Sequence, residues 1–142
     1  MHEKYMNIAI KEAKKAFKNN DVPVGCIIVK NNKIISKAYN KKEKKQNSIM
    51  HAEIIAIKKA CKKLKTWHLD DCVLYTTMEP CMMCSGAILQ SRIKTIYYGV
   101  SNKKYGDIDI LKKYNKKINI KNNILSLESK KILKDFFKTK RK

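Results

Sequence analysis

At 142 residues the chain has the length of one domain, enough to bury roughly two-thirds of its unfolded surface. Its apolar share of 44% is ordinary, but 32% charged residues and a formal net charge of +21 are not, and they point to an anionic partner: nucleic acid first, an acidic membrane surface second. The excess is carried by 31 Lys against only 2 Arg, and Lys, Asn and Ile, which share A/T-rich codons, make up 62 of the 142 residues, so about half of it is assigned to nucleotide bias.

From His2 to about Asn20 the residues Tyr5, Ile8 or Ala9, Ala13, Ala16 and Phe17 recur at helical spacing between lysines, which predicts an amphipathic helix. Val22 to Val29 is nearly continuously apolar and reads as a strand. Asn31-Asn32 is a good two-residue turn, and Ile34, Ile35, Ala38 and Tyr39 complete a hairpin. Asn40 to Ile49 reads as a polar loop. Helical period returns from about His51 to Leu64, Cys72 to Thr77 reads as a buried strand, and Pro80 opens a helix over Met82 to Gln90. Thr95 to Val100 is a further strand. A short helix over Ile110 to Tyr114, a strand over Ile118 to Leu125 and a last amphipathic helix over Leu127 to Phe137 follow. No repeat, linker or composition break divides residues 1–142, so a single domain is expected. The element order predicts a three-layer α/β sandwich in which crossovers bring helix N-termini to one edge of the sheet, where sites collect in α/β folds.

Five cysteines are an odd set, and neither a signal-peptide-length apolar run nor a membrane-spanning segment is present, so a reducing intracellular compartment is expected. The cysteines are then metal ligands or buried thiols before they are disulfides. Two predicted helix starts carry unusual residues: His51-Ala52-Glu53, and Pro80-Cys81-Met82-Met83-Cys84. Cysteines three apart share a helix face, and a helix start lowers a thiol's pKa toward the thiolate that zinc requires. His51, Cys81 and Cys84 make three ligands, and a zinc site with only three protein ligands keeps a position for water. Cys61 is ten residues along the helix from His51, about 15 Å, and Cys26 and Cys72 lie in apolar strand patterns, so none of these is a convincing fourth. Glu53, in the looser first turn, is the general acid/base that such a site needs. Alone, C-x-x-C also serves redox pairs and structural zinc knuckles. Joined to H-x-E about thirty residues earlier it is the signature of zinc-dependent nucleobase deaminases.

On these motifs the chain resembles the tRNA-specific adenosine deaminase family. The similarity runs in order through Val22-Pro23-Val24-Gly25, Asn40, His51-Ala52-Glu53-Ile54, the segment from Leu74 to Ile88, Ser91-Arg92-Ile93, Tyr98-Gly99 and Asp135-Phe136-Phe137. The resemblance implies a cytidine deaminase-like α/β/α sandwich with a five-stranded mixed sheet whose last two strands are parallel. It implies a homodimer with one zinc per subunit, acting on the anticodon stem-loop of tRNA and converting adenosine to inosine at the wobble position; the reducing compartment read from the cysteines makes the expected place cytoplasmic, an organelle remaining open. In that scheme His51, Cys81 and Cys84 hold zinc and Glu53 shuttles protons. Asn40 hydrogen-bonds the flipped nucleotide, and Val22, Pro23 and Val24 wall the base. Phe137 with Lys138, Lys140 and Arg141 approaches the stem-loop. The chain departs from the family after Gly99, where Asn102 to Ile108 replaces a Gly- and Ala-rich loop that lies near substrate. Two other readings stay open: a zinc deaminase of a free base or nucleotide such as guanine, cytidine or deoxycytidylate, and a non-catalytic RNA-binding subunit of a deaminase complex.

Overall fold

A computed structural model describes residues 1–140. Helix α1 (His2–Lys18) leads into the hairpin β1 (Gly25–Lys30) and β2 (Lys33–Tyr39), then α2 (Lys42–Lys45), α3 (Ala52–Leu64), β3 (Val73–Met78), α4 (Met82–Gln90) and β4 (Thr95–Val100). A 3₁₀ turn at Ile108–Ile110 runs into α5 (Leu111–Tyr114), followed by β5 (Asn119–Lys121) and α6 (Ser126–Lys140). The five strands are ordered β2-β1-β3-β4-β5, with β1 antiparallel to β2 and β3, and β3, β4 and β5 mutually parallel. This is the three-layer sandwich and mixed sheet anticipated from the sequence, down to the parallel final pair.

Both faces of the sheet are covered, which is why β1, β3 and β4 read as apolar runs rather than alternating patterns. Ile27, Val29, Tyr75 and Tyr97 pack on Tyr5, Met6, Ala9 and Ile10 of α1, with Ile132 of α6 against the same cluster. The alternate residues Cys26, Ile28, Leu74, Ile96 and Tyr98 pack on the other side against Ala52, Ile55, Ala56 and Ala60 of α3 and Ile88 of α4. Asn31 and Asn32 both take positive φ, 51° and 62°, as a tight hairpin turn that follows the strand twist requires.

Three expectations shift. The β1 ladder starts at Gly25 and not at Val22, because Val24 N–H turns back to the Val22 carbonyl (2.9 Å) instead of pairing with a neighbour. Residues 40–49 are not wholly loop: buried Asp21 accepts from Glu43 N–H (2.6 Å) and Lys44 N–H (3.1 Å), capping α2. Strand β5 stops at Lys121, since Asn123 (φ 63°) and Leu125 (φ 52°) take left-handed backbone that no ladder accommodates.

The topology gathers six segments at one edge. Cys26 pairs with Thr76, so the start of β1 lies beside the end of β3, and Gly25 pairs with Tyr39, bringing the end of β2 there too. Helix α3 precedes β3 and α4 follows it, so both helix N-termini open at that edge, and the segment after β4 leaves from it. At Gly25 helix α1 packs closely on this edge: a Cβ there would meet the Ala9 carbonyl oxygen at 1.9 Å and Ala13 N at 2.6 Å, both backbone atoms of α1. Gly25→Ala must push α1 off the sheet, and the expected loss is about 3 kcal/mol, checked by urea unfolding.

Candidate active site and metal centre

At the shared edge His51 is the N-cap of α3 and Cys81 the N-cap of α4, both with extended backbone and neither side chain capping its own helix. Their side chains are therefore directed elsewhere. His51 Nδ1 lies 3.5 Å from Cys84 Sγ and 3.7 Å from Cys81 Sγ, and the three donor atoms fall within 4.8 Å of one another. Nitrogen and sulfur donors about 2.1 and 2.3 Å from one tetrahedral ion stand about 3.6 Å apart, so the spacing fits a single metal ion. Donor chemistry agrees: hydrogen bonding from Cys84 and from His51 holds the Cys81 thiol far below its ordinary range, as a ligand must be. Cys84, which keeps its proton as hydrogen-bond donor to Cys81 and is buried, is raised.

Glu53 occupies the second position of α3 and is 4% exposed. Burial pushes its carboxyl up to about 7, opposed in part by His51. A carboxyl in that range can both take and give a proton near neutrality. The remaining cysteines stand apart in role: Cys26 is a fully buried core thiol whose pKa burial raises, Cys72 is buried, and Cys61 is half-exposed and is not among the clustered donors. The other two histidines are engaged elsewhere, His2 with the Tyr75 hydroxyl (2.8 Å) and His68 stacked on Trp67.

His51, Glu53 and Cys81 floor a cleft of about 790 Å³ lined by Val22, Val24, Asn40 and Phe137 among others. Pro23 is buried and is not among the lining residues, a correction to the expected base wall: the backbone turns at Pro23, where Val24 N–H meets the Val22 carbonyl, with Val22 and Val24 on the cleft side. Asn40 is 8% exposed and held at both ends, Nδ2 donating to the Val22 carbonyl (3.2 Å) and Oδ1 accepting from Lys42 N–H (3.1 Å). Its amide keeps a second N–H and its oxygen a second lone pair for a ligand. Phe137 is 44% exposed, and the neighbouring Phe136 is buried edge-on against Phe17, which docks α6 on α1. Lys138 and Lys140 are exposed on the last turn, whereas Arg141 lies outside the described residues.

Several lining residues carried no motif. Lys42 and Ser48 come from the segment capped by Asp21, and Lys103, Lys104 and Tyr105 from the segment after β4. The only sequence signal for them was the divergence of residues 102–108 from the Gly- and Ala-rich loop. Asp21 shapes this rim at a distance, so Asp21→Ala should cost about 1–2 kcal/mol of stability and raise KM through disorder of residues 41–46. Urea unfolding and steady-state kinetics on the same preparation check both effects.

The MafB19-like deaminase family matches residues 1–141. A tRNA-specific adenosine deaminase of Rickettsia bellii is 44% identical over 141 residues, covering 94% of this chain and 97% of its own length. The chain belongs to the tRNA-specific adenosine deaminase family. A second member of that family, from Bacillus subtilis, is 40% identical over 146 residues, with 99% of this chain and 91% of the relative covered. Among solved structures, a tRNA:A34 deaminase studied for A-to-I editing at the wobble position of transfer RNA is 30% identical with a TM-score of 0.85, covering 92% of this chain and 99% of that one. In this chain His51, Glu53 and Cys81 line the cleft, and Cys84 lies buried beside them.

Proposed function

We propose that this protein hydrolyses adenosine to inosine at the wobble position of tRNA, releasing ammonia. The observation that carries the reading is the convergence of His51, Cys81 and Glu53 on the floor of one cleft, with Cys84 buried beside them in the same donor cluster, in a chain of this family. We assign zinc, one ion per chain, to His51, Cys81 and Cys84, where it supplies the Lewis acidity that makes water nucleophilic near neutral pH. The residues then divide the labour. Glu53 takes a proton from the attacking water and gives it to N1 of the adenine as the C6–oxygen bond forms, then takes the remaining proton from the new C6 hydroxyl and gives it to the amino group as the C6–nitrogen bond breaks, leaving a C6 carbonyl and ammonia. Its burial limits exchange of those protons with bulk solvent. Val22 and Val24 bound the base, and Asn40, already anchored, fixes the nucleotide with its spare donor and acceptor.

C6 of a stacked adenine is out of reach, so the nucleotide must be splayed into the cleft, which costs least in a single-stranded loop. Lys42, Lys103 and Lys104 at the rim supply positive charge where the backbone on either side of that nucleotide would run. Phe137, Lys138 and Lys140 extend this surface along α6. The reading includes a single deaminase domain, a homodimer and a cytoplasmic place of action, where tRNA is found; no helix among the described residues is long and apolar enough to cross a membrane.

A substrate panel tests the proposal. Ammonia release is measured with an anticodon stem-loop bearing wobble adenosine and, separately, with free adenosine, guanine and deoxycytidylate. The stem-loop should turn over at least about 10²-fold faster per unit concentration than any free species, since the rim contacts exist only for RNA. Preferred turnover of guanine or deoxycytidylate contradicts the proposal in favour of a free-base enzyme, and turnover of nothing favours a binding subunit.

A further inference from the structure

We propose that Tyr105 is a stacking platform for an RNA base adjacent to the one that enters the cleft. The inference rests on the tRNA reading and deepens it. Tyr105 lines the cleft yet is 64% exposed. A single exposed aromatic means little; what distinguishes this one is how firmly its backbone is held. The two Glu79 carboxylate oxygens accept from Asn102 N–H (3.2 Å) and Ile108 N–H (3.3 Å), closing the segment at both ends. Inside it, Tyr105 N–H donates to Asn102 Oδ1 (3.1 Å) and Gly106 N–H to the Asn102 carbonyl (2.8 Å). Asp107 N–H donates to the Pro80 carbonyl (3.0 Å), and Gly106 forms a bridge with Cys81. A Cβ on Gly106 would stand 2.5 Å from the Glu79 carboxyl carbon, so the carboxylate packs directly on that glycine.

The backbone that carries Tyr105 is thus fixed relative to Cys81 before any RNA arrives, so little main-chain entropy is lost when its ring is covered. Extracting one nucleotide leaves its neighbours short of a stacking partner, which an aromatic face replaces. Lys104 Nζ lies over the Tyr105 ring, 5.3 Å from its centroid, and Lys103 lines the same cleft, so cations stand close to the ring where a stacked nucleotide brings its phosphate. Lysine is depleted at the cores of protein–protein interfaces, so this surroundings favours single-stranded nucleic acid over a protein partner.

The test is a double-mutant cycle on binding. Fluorescence anisotropy gives Kd for the wobble-adenosine stem-loop and for stem-loops abasic at each neighbouring position, with wild type, Tyr105→Phe and Tyr105→Ala. The expected result is a Kd about 5- to 100-fold weaker for Tyr105→Ala on the intact RNA, near wild type for Tyr105→Phe, and no further loss for Tyr105→Ala when one particular neighbouring base is missing. Unchanged Kd for Tyr105→Ala, or losses that add at every abasic position, overturns the proposal. So does conversion of an assembled form to monomer by Tyr105→Ala, read by sedimentation, which would make the residue part of a protein interface. Inosine formation by wild type on the intact RNA is scored separately, so a failure of the stacking role and a failure of the tRNA reading give different outcomes.

Discussion

Replacing Glu53 by glutamine lowers inosine formation by about 10²- to 10⁴-fold while metal content stays at the wild-type level. Glutamine keeps the shape of the side chain and removes only its capacity to carry a proton. Because Glu53 is 4% exposed and burial is the largest influence on its carboxyl, the neutral isostere also removes a desolvation cost, so the unfolding midpoint should not fall. That combination separates a chemical role from a structural one. Activity within tenfold of wild type in a preparation free of contaminating deaminase would remove Glu53 from the proton path; lost activity accompanied by lost metal would make it a support of the donor cluster instead.

Cys84→Ala should empty the metal centre. With two donors left from the cluster of His51, Cys81 and Cys84, metal affinity falls by more than about 10²-fold, beyond what loss of a supporting contact alone costs, and deamination falls with it. The same loss is expected for His51→Ala and Cys81→Ala, whereas Cys61→Ala, outside the cluster, keeps about one ion per chain. Atomic absorption on dialysed protein checks the set. Metal bound to the native chain also stabilises it by mass action, so chelation should lower the melting temperature of wild type and leave that of Cys84→Ala in place. Full metal content in Cys84→Ala, or its loss in Cys61→Ala, would mean that the ion is held elsewhere.

What could be read from the sequence was what is local. Helix α3 and helix α4 announce themselves by period, and the donors sit at their first turns, so the spacing of His51, Glu53, Cys81 and Cys84 was visible without a fold. Asn31-Asn32 marked its own turn, because few residues other than Gly and Asn accept the backbone found there. What could not be read depended on partners far along the chain. The cap that turns Lys42–Lys45 into a helix is Asp21, and the brace that shapes residues 102–108 is Glu79, neither signalled by any local pattern. Val22 to Val24 was apolar enough for a strand, but its backbone turns back on itself, which frees the two valines to face the cleft and leaves Pro23 buried behind them.

The charge of the chain takes on a position as well. Residues 51–100 carry a net +3, against +8 for residues 1–50 and +10 for residues 101–142. The middle segment supplies the floor of the cleft, His51, Glu53 and Cys81, whereas the lysines at its rim, Lys42, Lys103 and Lys104, come from the two basic flanks. A near-neutral floor inside a basic rim suits an uncharged base carried on a phosphate backbone.

The most direct measurement is the fate of one adenosine. Wild-type protein, with its metal content verified, is incubated with an anticodon stem-loop containing adenosine at the wobble position and at one control position in the stem, and the RNA is digested and read by mass spectrometry. Inosine at the wobble position alone, with ammonia released mole for mole and none formed by Glu53→Gln, is the predicted result; a metal-loaded wild type that leaves the wobble adenosine intact contradicts the account.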